Sequence, residues 1–267
     1  MKRIKTAVLS ALALAVAMGT VSAEGAVLKV GATPVPHAAI LKAIVPALKA
    51  KGIELQVIEF TDYVQPNLAL ANKELDANFF QHQPYLTDFN AQHGTTIVSA
   101  AKVHFEPLGL YPGKTKSVDK LKSGATVAVP NDTTNEARAL LLLEAAGLLK
   151  VNHAVGLKAT IKDITDNPKK IKVKELEAAQ VARSLPDVDL AVINGNYALD
   201  AGLNAAKDAL KAESKDSLAA TTYANILAIR KGDESRPEIQ ALVKALASEE
   251  VRKFINDAYK GAVVPAF

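Results

Sequence analysis

Beyond residue 25, two kinds of apolar stretch alternate along the chain: short compact runs that suit a half-buried or buried strand, and longer stretches with apolar residues at helical spacing. Residues 27–31 read as a strand ended by Gly31, and Pro34 and Pro36 then mark a loop. Residues 37–51 carry Ile40, Leu41, Ile44, Val45 and Leu48 at helical spacing and close on Gly52, after which 53–60 alternates as a second strand. A helix over 63–73, a strand over 76–80 and a helix over 84–92 follow. Residues 103–111 are extended in character and run into the turn Pro112-Gly113-Lys114. A second set then begins with a strand at 125–129, and Asn131-Asp132-Thr133-Thr134 offers N-caps to a strongly apolar helix that ends near Gly147. Strands are expected at 159–164, 171–173, 188–193 and 223–230, and helices at 176–183, 237–247 and 249–259.

Strands alternating with helices predict an α/β protein. Two sets of comparable size, joined by extended stretches near 103–111 and 221–230 and by no flexible linker, predict two lobes connected by a pair of crossing strands. The expected division is lobe 1 over 24–108 plus 226–267 and lobe 2 over 109–225. Such a molecule closes on a ligand held between its lobes.

Charge and composition change this picture mainly at the N-terminus. The 267 residues carry a formal net charge of +4, but Lys2, Arg3 and Lys5 stand ahead of the apolar stretch 7–18. A basic start, an apolar run too short to span a bilayer and the compact residues Val21-Ser22-Ala23 form a secretory signal peptide, with cleavage expected after Ala23. Removing residues 1–23 takes away three positive and no negative charges, leaving 29 basic against 28 acidic residues. That balance carries no nucleic-acid footprint. Cysteine is absent, which excludes disulfides, thiolate metal sites and cysteine nucleophiles. The profile is that of an exported solute-binding protein in the periplasm.

The common enzyme motifs (G-x-S-x-G, the Walker loop, G-x-G-x-x-G after a strand, H-E-x-x-H) are missing. The five histidines, His37, His82, His93, His104 and His153, are dispersed without metal-ligand spacing, so no metal or cofactor is expected. The segment 78–85, Asn-Phe-Phe-Gln-His-Gln-Pro-Tyr, gathers aromatic residues in a chain that is only 5% aromatic, and it lies where a strand passes into a helix. Strand alternation assigns Phe79 to the core and Phe80 to the cleft. His82 either caps the next helix or contacts a ligand. Arg138 stands early in an apolar helix behind a cap-rich loop, where it is either a solvated arginine or the fork that meets a ligand carboxylate. Asn194 ends a strand and Asn225 sits inside an apolar run, so each needs a partner if buried, although turn formation also accounts for Asn194.

Gly31-Ala32-Thr33-Pro34-Val35-Pro36-His37, Phe80-Gln81-His82-Gln83-Pro84-Tyr85, Val129-Pro130-Asn131-Asp132 with Asn135 and Arg138, Ala191-Val192-Ile193-Asn194 and Gly261-Ala262-Val263-Val264-Pro265 occur in this order. Together they resemble the methionine-binding lipoproteins of bacterial ABC importers (the NlpA type), over essentially the whole chain after residue 23. The resemblance implies a two-lobed periplasmic-binding-protein fold, type II-like, that captures L-methionine without catalysis and delivers it to an inner-membrane permease and its ATPase. It implies Tyr63, Phe80, His82 and Tyr85 around the ligand side chain, Arg138 on its carboxylate, and Asn194 and Asn225 on its backbone groups. The chain departs from the family pattern at Thr133, Ala137 and Gly195, and Glu24 stands where the family carries a lipidated cysteine. No covalent lipid anchor is therefore expected. D-methionine, a methionine-containing dipeptide, another apolar amino acid or zinc are the alternative ligands, and an enzyme on the same scaffold is the alternative class.

Overall fold

A computed structural model describes residues 25–267. The expected signal peptide, residues 1–23, lies outside the described residues, and among those described no helix is long and apolar enough to cross a membrane. The strands in chain order are β1 (Ala26–Ala32), β2 (Ile53–Glu59), β3 (Ala77–His82), β4 (Ile97–Phe105), β5 (Gly109–Pro112), β6 (Thr126–Pro130), β7 (Lys150–Val151), β8 (Ile164–Asp166), β9 (Lys172–Leu176), β10 (Leu190–Ile193), β11 (Lys211–Ala212), β12 (Asn225–Arg230) and β13 (Val264–Pro265). They form a six-stranded sheet in the order β13-β4-β12-β3-β1-β2, a five-stranded sheet in the order β11-β5-β10-β6-β9, and a small β7-β8 pair.

In the first sheet β1 is parallel to β2 and β3, and β12 enters antiparallel between β3 and β4. The second sheet runs β10-β6-β9 in parallel, with β5 antiparallel to β10. The chain crosses between the sheets over residues 106–108 and again over 213–224. The two crossings lie side by side: Glu213 N–H donates to the Leu108 carbonyl at 3.0 Å, and Leu108 N–H donates to Glu213 Oε2 at 2.9 Å. This is a two-lobed α/β fold, each lobe a sheet flanked by helices.

Each lobe has its own core. In the first, Leu28, Val30 and Phe79 of the sheet pack with Ile40, Leu41 and Ile44, and with Leu242 and Ile255 from the C-terminal helices Pro237–Leu246 and Glu249–Tyr259. In the second, Leu140 and Leu143 of the helix Thr133–Ala145 pack on Val127 and Val192. That helix starts because the Asp132 carboxylate accepts the Asn135 N–H at 3.0 Å, is sustained by alanine and leucine, and stops before Gly147, whose φ of 73° is left-handed.

Two expectations fail locally. The helix expected over 37–51 is broken into the segments Ala39–Ala43 and Val45–Lys49, preceded by Pro34–Ala38, an irregular stretch in which Val35 is extended. Pro46 has no N–H to return to the carbonyl four residues earlier, and the chain kinks at Ile44. The strand expected over 159–164 is instead the helical turn Ile161–Asp163, with β8 following. Thr160 and Asp163 close a capping box there, a local polar signal that the apolar pattern does not register.

Candidate ligand-binding site

All seven residues singled out from the sequence, Tyr63, Phe80, His82, Tyr85, Arg138, Asn194 and Asn225, line one cavity between the lobes, together with Gln81, Glu106, Asn135, Gly195 and Asn196. The space enclosed is small, because the two lobes meet closely around it.

One wall is aromatic. β3 carries Phe79 into the first core and turns Phe80 to the cavity, as strand alternation dictates. The ring centroid of Phe80 lies 5.8 Å from that of Tyr63 and 6.1 Å from that of Tyr85, and Tyr63 and Tyr85 are 5.8 Å apart. Tyr85 stands in the first turn of the helix Gln83–His93 and donates its hydroxyl to the Tyr63 carbonyl at 2.9 Å.

The opposite side is polar and its donors and acceptors are mostly assigned. His82 both caps and reaches across the cavity: Nδ1 accepts the Tyr85 N–H at 3.2 Å, so Nε2 carries the proton that meets Asn135 Oδ1 at 3.1 Å. Burial, with Arg138 close by, pushes this imidazole down to about 3, which keeps it neutral. Asn135 Oδ1 also accepts from Asn194 Nδ2 at 2.9 Å. Asn194 Oδ1 is left buried with no partner. Hydrogen bonds that join the lobes around the cavity include His82 to Asn135, Tyr63 hydroxyl to Asn196 Oδ1 at 2.5 Å, and Tyr197 hydroxyl to the Thr61 carbonyl at 3.0 Å.

Arg138 is 4% exposed, so it is no solvated arginine. Its forked face is not free, however. Nε and Nη2 meet Glu213 at 2.8 and 2.5 Å, Nη2 also donates to the Glu106 carbonyl at 3.0 Å, and the guanidinium lies 4.2 Å from the Tyr223 ring centroid. Nη1 is the guanidinium nitrogen without a hydrogen-bond partner among the described residues. Two of its three guanidinium nitrogens are thus engaged within the protein, which leaves Nη1 toward the cavity. The helix N-terminus that the sequence offered to an anion is likewise occupied, by Asp132, which accepts from Asn135 and Thr134.

Asn225 opens β12 at the junction with the second crossing, where its Oδ1 accepts from His37 Nε2 at 3.0 Å and its Nδ2 has no partner among the described residues. Behind it, two of the dispersed histidines converge after all. His37, His104 and Glu106 are buried together, with their potential ligand atoms within 4.8 Å of one another. Glu106 Oε1 is 2.6 Å from His104 Nε2 and 3.3 Å from His37 Nε2, and His37 Nδ1 pairs with the Thr33 hydroxyl at 2.7 Å. Burial pushes both imidazoles down, His37 to about 4 and His104 to about 3, and pushes the Glu106 carboxyl up. Gly195 is required beside it, because a Cβ there would come within 2.6 Å of Glu106 Cβ and 2.9 Å of Oε2.

The family profile described as NlpA lipoprotein matches residues 28–267. The chain belongs to this family. It is 42% identical over 240 residues to the methionine-binding lipoprotein MetQ of Bacillus subtilis, an alignment covering 88% of this chain and 86% of that protein. It is 43% identical over 215 residues to the D-methionine-binding lipoprotein MetQ of Salmonella typhimurium, covering 80% and 78%. Among solved structures, a nutrient binding protein from Burkholderia cenocepacia bound to methionine superposes with a TM-score of 0.85 at 47% identity, covering 90% of this chain and 100% of that one.

Within this NlpA-family chain, five cavity residues were not singled out as site residues from the sequence. Asn135 and Gln81 stood inside motifs that carried the resemblance, and Gly195 and Asn196 follow Asn194 directly. Gln81 spends its amide on Asn67 and Asn78. Glu106 lies in a three-residue crossing, and apart from His104 two residues before it, the groups it meets (His37 and the start of the helix Gly195–Asp200) come from distant parts of the chain.

Proposed function

We propose that this protein is the substrate-binding component of an ABC importer, capturing L-methionine between lobes 24–108 plus 226–267 and 109–225 and delivering it to an inner-membrane permease and its ATPase. The observation that carries the chemistry is the split of free polar atoms in the cavity. Among the described residues the buried Asn194 Oδ1 is an acceptor with no donor, while Arg138 Nη1 and Asn225 Nδ2 make no hydrogen bond. A zwitterionic amino acid satisfies both kinds, with its ammonium on the acceptor and its carboxylate on the donors. The tyrosine and phenylalanine wall then takes an apolar side chain, and a thioether packs well against ring edges. The small cavity favours one amino acid over a dipeptide. Binding proceeds by lobe closure with no covalent step. A zinc cargo is disfavoured, since His37 and His104 are not part of the cavity lining and are engaged in hydrogen bonds with Thr33, Asn225 and Glu106.

The relatives named MetQ are lipoproteins, but the 267 residues here contain no cysteine for a thioether-linked lipid. The proposed location is the periplasm, after cleavage behind Ala23. Titration calorimetry of refolded protein with L-methionine, D-methionine, glycyl-methionine and leucine tests the ligand. Tightest binding of L-methionine is expected, and absence of binding to every α-amino acid overturns the functional assignment.

A further inference from the structure

Of the side chains lining the cavity, two carry a formal charge, Arg138 and Glu106. The Arg138 charge is already matched by Glu213 in a two-pronged pair. Glu106 has no such match. The groups around its carboxylate are His37 and His104, which are neutral, the Asn196 N–H, and more remotely the Arg138 guanidinium, whose direct ion pair is with Glu213. An ionised Glu106 thus leaves the cavity one positive charge short. His37 Nε2 presents a hydrogen to this space, since it faces the Asn225 oxygen as well as Glu106, and His104 Nε2 does the same toward an ionised Glu106. The arrangement fits donors gathered on an anion, not three ligands around a metal ion.

We propose, building on the amino-acid-binding function above, that Glu106 is the counter-charge for the ligand's α-ammonium and that His37 and His104 act as positioning residues, donating hydrogen bonds to its carboxylate from behind. The site then selects ligands that carry a cationic amino group beside a carboxylate and rejects the corresponding desamino acids. Burial alone pushes the Glu106 carboxyl upward, and a cation entering the cavity acts in the opposite direction, so this carboxylate is most strongly stabilised when the ammonium is present. Gly195 serves the same end by leaving room for the carboxylate to lie against the start of the helix Gly195–Asp200.

The test compares methionine with 4-(methylsulfanyl)butanoate, which keeps the thioether and carboxylate and lacks the amino group. Affinities are measured by ligand-dependent thermal shift on the mature protein, on Glu106→Gln and on His104→Phe. The wild type should prefer methionine strongly. Glu106→Gln should lose about 30-fold or more in methionine affinity and change by less than about threefold for the desamino acid. His104→Phe should lose about 2- to 10-fold, again for methionine selectively. Equal losses for both ligands in Glu106→Gln make the residue structural and overturn the proposal, as does an unchanged ratio. If the wild type binds methionine but the ratio does not move, this assignment alone falls. If the wild type binds no α-amino acid, the functional assignment falls and takes this one with it.

Discussion

Replacing Arg138 with alanine exposes how one side chain serves fold and ligand together. The guanidinium and the Glu213 carboxylate are 5% and 10% exposed, so solvent screens the pair little. Removing one partner strands the other charge in the interior, which costs about 3–5 kcal/mol. For a chain of this size each kcal/mol moves the midpoint by about 2–4 °C, so Arg138→Ala should melt about 6–20 °C below the wild type. Glu213→Ala should be similarly damaging, because it strands the guanidinium and also releases the Leu108 N–H at the paired crossings. The double variant removes both charges together and should cost about 1–3 kcal/mol less than the sum of the singles. Urea unfolding of the four proteins measures the cycle. Calorimetry on the same set measures affinity, expected to fall about thirtyfold or more in Arg138→Ala through loss of Nη1. Single losses that add to within about 0.5 kcal/mol would refute the buried pair, and a normal methionine affinity in Arg138→Ala would remove it from the site.

Tyr63→Phe deletes one inter-lobe hydrogen bond while keeping the ring, so ligand affinity should drop about 2- to 10-fold; calorimetry showing no change would mean that this contact does not stabilise the closed form. Asn225→Ala removes a donor from the cavity and the acceptor of His37, and should weaken both methionine affinity and ligand-driven compaction in small-angle scattering; normal binding with normal compaction would make it a structural strand amide. Gly195→Ala forces a methyl group onto Glu106 and should impair binding more than folding, read by calorimetry beside a melting curve. Because the folded-state His82 lies near 3, its ring should stay neutral by nitrogen-15 NMR between pH 7 and pH 5. The unfolded chain takes up that proton near pH 6.5, so His82 contributes a loss of stability as pH falls from there; a ring that titrates within this range contradicts its burial.

How much of this molecule its sequence determined follows from the range over which each signal acts. The alternation of apolar runs set the α/β class and most element positions, because burying one face of a strand or helix imposes a period that can be read locally. The crowding of Phe80, His82 and Tyr85 at a strand-to-helix passage, and the apolar surroundings of Arg138 and Asn225, marked the cavity residues for the same reason. What occupies those side chains could not be read, since it depends on which distant segments the fold brings together. Arg138 meets Glu213 across 75 positions and His37 meets Asn225 across 188. The arginine fork assigned to a ligand carboxylate was satisfied from within. Glu106 was invisible as a cavity residue because the cavity it faces is assembled from segments far away in sequence. Local periodicity records which faces are buried, and only the packing of the two lobes decides which buried charges find partners in the protein and which are left for a ligand.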